Sequence, residues 1–371
     1  MTRAIFIGLF CRLGSLHATA GTKLSRFWNK HLGGYGVPSD DTLGRVAAQM
    51  DPEDLREVIH RVYAALKRNK ALPPLVPGCA VAAVDGHEST ASYRRCCPGC
   101  LTRTIETRNG PRTQYYHRYV VLHLVCDGLD LLLDIEPQRP GEDEVAASTR
   151  LIERGCRDYP RAFDLVVADG LYAGAPFFRS VRSHGKHVMA VLKDERRLLI
   201  QDVRGLCELQ AAVHQTLGNG DRWTWDFQDL TSWQEYEHPV RVVRCVENTR
   251  CRRQLDAQIE EQTTQWFWVT TMGDDLLPTG AAVKAGRSRW HIENQGFNTA
   301  VNEWHLDHVY RHQPTAMLVF MLLTFLAINL FRAFYRRNIK PALRRRYTIR
   351  AFCDQIKAQL LRGIDELARP P

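Results

Sequence analysis

Two short runs constrain this chain more than any other feature. CAVAAVD at 79–85 and FDLVVADG at 163–170 are of strand length, almost wholly apolar, and each reaches an aspartate that glycine follows. Each should be a buried strand. A carboxylate where a strand leaves the sheet, here Asp85 and Asp169, stands at the rim where α/β folds bind ligands. Taken singly, each Asp-Gly is better read as the start of a hairpin turn, for which that dipeptide is a strong signal.

The neighbouring pattern predicts the rest of an α/β chain. A proline-rich linker, LPPLVPG, occupies 72–78. Beyond it, YYHRYVVLHLVCDG (115–128) and LDLLLDIEP (129–137) read as a hairpin. Residues 142–157 read as a helix, PFFRSVRSHG (176–185) as a helix closed by Gly185, and HVMAVLK (187–193) as a strand. The order is three strands, helix, strand, helix, strand, which predicts a mixed sheet with helices. Over 200–276, five tryptophans and runs such as VRVVRCV (240–246) predict an antiparallel β-rich insertion, and helices return after it. Before the linker the chain reads as helical. Ser39 in PSDDT caps one helix, and Asp51-Pro52 opens another with Leu55, Val58, Ile59, Val62 and Leu66 on one face.

Composition narrows the partners without naming one. Lys and Arg number 50 against 41 Asp and Glu, a net charge of +9 that suits a polyanion but does not require one. The 11 cysteines do not describe a disulfide scaffold, because such scaffolds are short and this chain has 371 residues. Cys79, Cys126 and Cys245 sit in apolar runs, where a thiol acts as a small hydrophobe. The reading is a reduced, cytoplasmic protein. AIFIGLF at 4–10 loosely imitates a signal peptide, but Arg12 cuts it short. The uncharged run 315–331 is marginal for a membrane span, which needs about 20 apolar residues. A buried core helix is the better reading, and a single span is the runner-up.

Two carboxylates brought together repel unless a cation lies between them, and oxygen donors suit Mg²⁺ or Mn²⁺. A third acid, Glu293, lies in SRWHIENQGFN, a segment of helical spacing that puts Arg289, Glu293 and Asn294 near one face beside Trp290. A solvated ion pair between Arg289 and Glu293 would explain the same spacing.

These three patches, in this order, resemble the IS4-type DDE transposases. That family's motif runs Tyr, two residues, Arg, three residues, Glu, six residues, Lys. Arg289 and Glu293 match it, while Gly286 and Ala300 stand at the Tyr and Lys positions. The resemblance implies a ribonuclease-H-like core interrupted by the β insertion, with Asp85, Asp169 and Glu293 ligating two Mg²⁺ (or Mn²⁺) ions. It implies hydrolysis and strand transfer at insertion-element ends, a homodimer on DNA with terminal inverted repeats and target DNA as partners, no membrane, and a bacterial, nucleoid-associated location. Residues 1–77 would then be a helical DNA-binding region, and 78–199 and 277–335 the two parts of the core. Residues 200–276 would be the insertion, and 336–371 a basic tail. Arg289 would meet a phosphate, with Trp290, Asn294, Lys284, Arg94 and Arg95 as further DNA contacts. Trp266 and Trp268 suit a stacked base by type, but the core of a β domain is the better reading for each. A remnant that binds DNA without cutting it is the alternative, raised by Gly286 and Ala300.

Cys97 and Cys100, in CCPGC at 96–100, have the C-x-x-C spacing of zinc sites. Cys96, His117 and His123 are the nearest further donors. A tight turn with free thiols is preferred to zinc here. His87, His291, His305, His308 and His312 share no recognised ligand spacing, except His308 and His312 at i,i+4, and read as phosphate contacts or plain surface.

Overall fold

The computed structural model describes residues 1–21, 38–193, 197–252 and 259–362. The helices before the sheet are α1 (Thr2–Phe10), α2 (Leu16–Ala20), α3 (Asp40–Gln49) and α4 (Pro52–Arg68). Then come β1 (Val81–Ser92), β2 (Leu101–Thr107), β3 (Gly110–Val125), β4 (Leu131–Pro137), α5 (Glu144–Asp158), β5 (Leu165–Ala168), α6 (Ala175–Ser183) and β6 (His187–Val191). They are followed by α7 (Leu198–Leu209), β7 (Val213–Leu217), β8 (Gly220–Leu230), β9 (Val240–Arg252), β10 (Ile259–Thr270) and α8 (Thr279–Ser288). A π-helical segment (Ile292–Phe297), α9 (Asn298–Trp304), α10 (Pro314–Asn338), α11 (Pro341–Arg346) and α12 (Ile349–Arg362) complete the chain. The part of the tail beyond 362 lies outside the described residues.

The chain divides into two compact units. The first contains residues 1–73, 86–158 and 291–371, within the described ranges. Its strands β2, β3 and β4 are antiparallel, with β3 long enough to pair β2 near one end and β4 near the other. The run 315–331 is the middle of α10, a core helix packed on α1, α3, α4 and β4. Its polar residues answer the backbone. Asn329 accepts from the Leu132 amide at 3.0 Å and donates to the Leu132 carbonyl at 2.7 Å, while Thr324 donates to the Phe320 carbonyl at 2.8 Å. Both are fully internal partners of the kind buried polar groups need.

The two helix starts are as expected. Ser39 accepts from the Thr42 amide, and Asp51 accepts from the Glu53 amide with Pro52 in the first turn. The buried face of α4 is corrected. It consists of Leu55, Arg56, Ile59, Tyr63 and Leu66, while Val58 is exposed. The rotation carries Arg56 to Asp134, whose Oδ1 accepts from Arg56 Nε at 2.8 Å and whose Oδ2 accepts from Arg154 Nε at 2.6 Å. An ion network on β4 thus meets the inward face of α4 beside its apolar residues. Its desolvation is offset because each charge meets an opposite one.

The second unit contains residues 74–85 and 159–290. Its strand order is β1, β5, β6, β10, β9, β8, β7. β1, β5 and β6 are parallel, and from β6 onward the pairs are antiparallel. The mixed α/β sheet is therefore present. The antiparallel strands expected over 200–276 are β7–β10, but the segment opens with a helix, α7, which buries Leu199, Ile200 and Val203. β10 pairs directly with β6, Trp268 opposite Val191, so these strands extend the sheet of this unit.

Candidate catalytic centre

Asp85 and Asp169 are set side by side by strand register. Val81, Ala82 and Ala83 pair in parallel with Leu165, Val166 and Val167, and two residues further the same register puts Asp85 opposite Asp169. Neighbouring strands lie about 4.8 Å apart. Asp169 therefore follows the carboxyl end of β5, and Asp85 lies within β1 just beyond its ladder with β5, at the rim where α/β sheets bind ligands.

Neither Asp-Gly is a hairpin turn. β1 continues through Asp85 and Gly86 to Ser92, and neither Gly86 nor Gly170 has a positive φ. Each glycine instead admits a close neighbour. A Cβ on Gly86 would overlap the Glu144 carboxylate, and one on Gly170 would press on the Val191 carbonyl 3.2 Å away.

Each aspartate has a cationic partner in the second unit. Arg289 Nη1 lies 3.2 Å from Asp85 Oδ2, and Lys193 Nζ lies 3.5 Å from Asp169 Oδ2. Asp169 Oδ1 also accepts from the Leu171 amide at 2.6 Å, which fixes its rotamer at the start of a short helical turn. The side chains of Asp85 and Asp169 are 17% and 31% exposed, so both are reachable from solvent. The expected phosphate contact, Arg289, is only 6% exposed and engages Asp85. Its guanidinium also stacks on Trp290, 4.8 Å from the ring centroid.

A cleft of about 340 Å³ is lined by these same partners. Lys193, Arg204, Trp266, Arg289 and Trp290 form its charged and aromatic wall. Trp290 is 47% exposed. Trp266 and Trp268 stack at 6.0 Å, but Trp268 is buried and only Trp266 reaches solvent. Lys193 and Arg204 had no place in the sequence reading. Lys193 carried a signal, since it follows an apolar strand as Asp169 does; Arg204 carried none. Lys284, Asn294, Arg94 and Arg95 are all exposed, the last two in a loop whose amides are held by Ser92 Oγ.

Trp268 also accounts for Gly286. The indole lies against the Gly286 backbone so closely that a Cβ there would overlap it. The space that a Tyr at this position would need is filled from β10. Ala300, at the Lys position, is buried in α9.

Glu293 belongs to the first unit, where it lies half-buried in the π-helical segment. Such segments, with hydrogen bonds from i to i+5, recur at functional positions. The residues around Glu293 are held individually. His291 Nδ1 lies 2.9 Å from Asp130 Oδ2, and the Gln295 carbonyl accepts from Arg332. Gly296 packs on the His123 ring, and Phe297 stacks on His87 at 4.7 Å. His87 is in turn 2.7 Å from Asp307. His87 and His291 each meet a carboxylate and are half-buried, so neither is plain surface.

His123 is fully buried, and among the described residues neither ring nitrogen has a hydrogen-bond partner, Nε2 lying 3.6 Å from Asp130 Oδ2. Burial lowers its pKa from 6.5 to about 4, outweighing the nearby Asp130 carboxylate. The unfolded chain therefore takes up a proton near pH 6.5 that the native chain refuses until about pH 4. Stability from this group is complete above pH 6.5 and is lost as pH falls toward 4, by up to about 3 kcal/mol. Urea unfolding across that window should show a shallower pH dependence in His123→Leu than in the native chain. Equal slopes would mean that His123 is charged in the fold.

A family model described as a transposase DDE domain matches residues 81–330. No curated protein matches the chain. The matched region begins at the first residue of β1, includes Asp85, Asp169 and Glu293, and ends within α10. Since it covers more than half of the chain, the protein belongs to the transposase DDE domain family.

Proposed function

We propose that this protein is a DNA transposase of the IS4 type, with a ribonuclease-H-like core, that cuts and rejoins phosphodiester bonds at the ends of an insertion element. The observation that carries the reading is the register of Asp85 with Asp169 beside a cleft walled by Lys193, Arg204 and Trp290. Two aspartates on adjacent parallel strands offer hard oxygen donors, the donor set that Mg²⁺ or Mn²⁺ prefers. Asp85, Asp169 and Glu293 are the residues that would hold the ions. When bound, such ions supply an activated nucleophile and neutralise the leaving oxygen.

The remaining work falls to the chain's own side chains. Arg289 holds Asp85 in place by a charged hydrogen bond. Lys193 and Arg204 offer positive charge to a phosphate backbone, and the exposed face of Trp290 offers a stacking surface for a base. The exposed Arg336, Arg337, Arg345 and Arg346 near the carboxyl end would add non-specific affinity for DNA. A homodimer on paired ends follows from the transposition reading.

Purified protein, offered DNA carrying its gene's own flanking sequence, should cut it only when Mg²⁺ or Mn²⁺ is present. Binding of that DNA without cleavage in either metal would overturn the enzyme reading and favour a binding remnant.

A further inference from the structure

We propose that Cys97, Cys100, His117 and His312 bind one structural zinc ion, tying the β1–β2 loop and β3 to the start of the core helix α10. All four residues belong to the first unit. Cys97 and Cys100 bracket the Pro-Gly turn, in which the Cys100 amide donates to the Cys97 carbonyl at 3.0 Å. His117 points from β3, and His312 stands two residues before Pro314, the first residue of α10.

The argument is one of edge lengths. The Sγ atoms of Cys97 and Cys100 are 3.7 Å apart. His117 Nε2 is 3.4 Å from Cys97 Sγ and 3.3 Å from Cys100 Sγ. His312 Nε2 is 3.5 Å from Cys100 Sγ and 3.3 Å from His117 Nε2. All four atoms lie within 4.8 Å of one another. With Zn–S near 2.3 Å and Zn–N near 2.05 Å, a tetrahedron has S···S edges of about 3.8 Å, S···N of about 3.6 Å and N···N of about 3.3 Å. The five close contacts reproduce these edges.

Hydrogen bonds do not explain the same arrangement. Each thiol and each Nε2 brings at most one proton, so four atoms cannot donate along five contacts. A shared central cation satisfies all of them at once. The Sγ–Sγ distance also excludes a disulfide, whose length is about 2.05 Å, and both thiols are free. The Cys97 amide lies 3.2 Å from Cys100 Sγ, a donor suited to a thiolate. His117 and Cys100 are buried. Four protein donors leave no open position, so the ion would be structural and separate in role from the strand-end carboxylates. Gly99 lies against Pro314, with 3.1 Å from a notional Cβ to Cγ, so the knuckle and the helix start already meet there. Of the donors near the C-x-x-C pair, Cys96 and His123 lie outside the cluster. His312, 195 residues from His117, closes it.

The test is metal analysis of the full-length protein, with cobalt(II) substitution as a second readout. The native chain should carry about one zinc per chain. Cobalt(II) should give tetrahedral ligand-field bands and thiolate charge transfer. Cys97→Ser/Cys100→Ser should lose both signals, while Cys96→Ser and Asp85→Asn/Asp169→Asn keep them. His312→Cys should retain the metal and strengthen the charge-transfer band. Because the double cysteine variant could fail to fold, the native chain is also treated with a chelator. Release of zinc should expose two thiols to a thiol reagent and lower the melting temperature. A native chain that carries no zinc and gives no tetrahedral cobalt spectrum would overturn the proposal. So would full zinc content in a folded Cys97→Ser/Cys100→Ser variant.

Discussion

Asp85→Asn and Asp169→Asn should each lower DNA cleavage by about a thousandfold, the equivalent of about 4 kcal/mol in the barrier, while leaving DNA affinity near native. The substitution removes charge but little shape. An Asn at 169 still accepts from the Leu171 amide, now 2.6 Å from Asp169 Oδ1, and an Asn at 85 still accepts from Arg289. The loss would therefore report metal holding, and not collapse of the strand ends. Glu293→Gln is expected to act alike. Arg289→Ala should also depress cleavage, because it unpins Asp85, and its effect on the salt dependence of binding should be small for so buried a cation. Cleavage assays beside circular dichroism and binding titrations on the same preparations make the comparison. Native cleavage rates in Asp169→Asn would remove that residue from the centre.

Asp134→Ala should destabilise the protein by about 3–5 kcal/mol, because it strands buried charge. Asp134 is 2% exposed and binds Arg56 and Arg154 through different oxygens. Domains are stable by only about 5–15 kcal/mol, so the loss is a large share of the total. Urea unfolding would measure it, together with a triple variant in which Arg56 and Arg154 become Met and Asp134 becomes Leu. The triple variant should recover most of the loss, since no buried charge is then stranded: Glu136 keeps Arg150, and Glu53 is exposed. A single-variant loss below about 1 kcal/mol would mean that Glu53 and Glu136, which also contact these arginines, suffice as partners.

What could be read from the residues depended on how local the signal was. The Asp85 and Asp169 strands, the β3–β4 hairpin, the Ser39 and Asp51 caps and the α10 core helix all announce themselves within a few residues. β2 escaped notice because LTRTIET is polar on alternate positions and mostly solvated. β1 was read as ending at Asp85, since its continuation HESTAS carries no apolar pattern, yet the strand runs to Ser92. The zinc-type cluster could not be completed from spacing, because its fourth donor comes from the far end of the chain. Likewise, nothing in IENQGF distinguishes a π turn from an α turn. The wider turn accompanies contacts to Asp130, His123 and Arg332 from other elements.

The indole of Trp268 lying on Gly286 makes these two positions one shared volume, and that limits how a sequence can move between them. A chain with Tyr at 286 and a small residue at 268 would fill the same space from the opposite side. Going there one substitution at a time passes through either an overfilled or an emptied intermediate. Overfilling costs about 1–3 kcal/mol or more, and emptying a site the size of Trp about 3–5 kcal/mol. The cheaper order adds bulk before removing it. Two lineages separated by this exchange would thus differ at a motif position while keeping the same interior, and a search built on that position alone would part them.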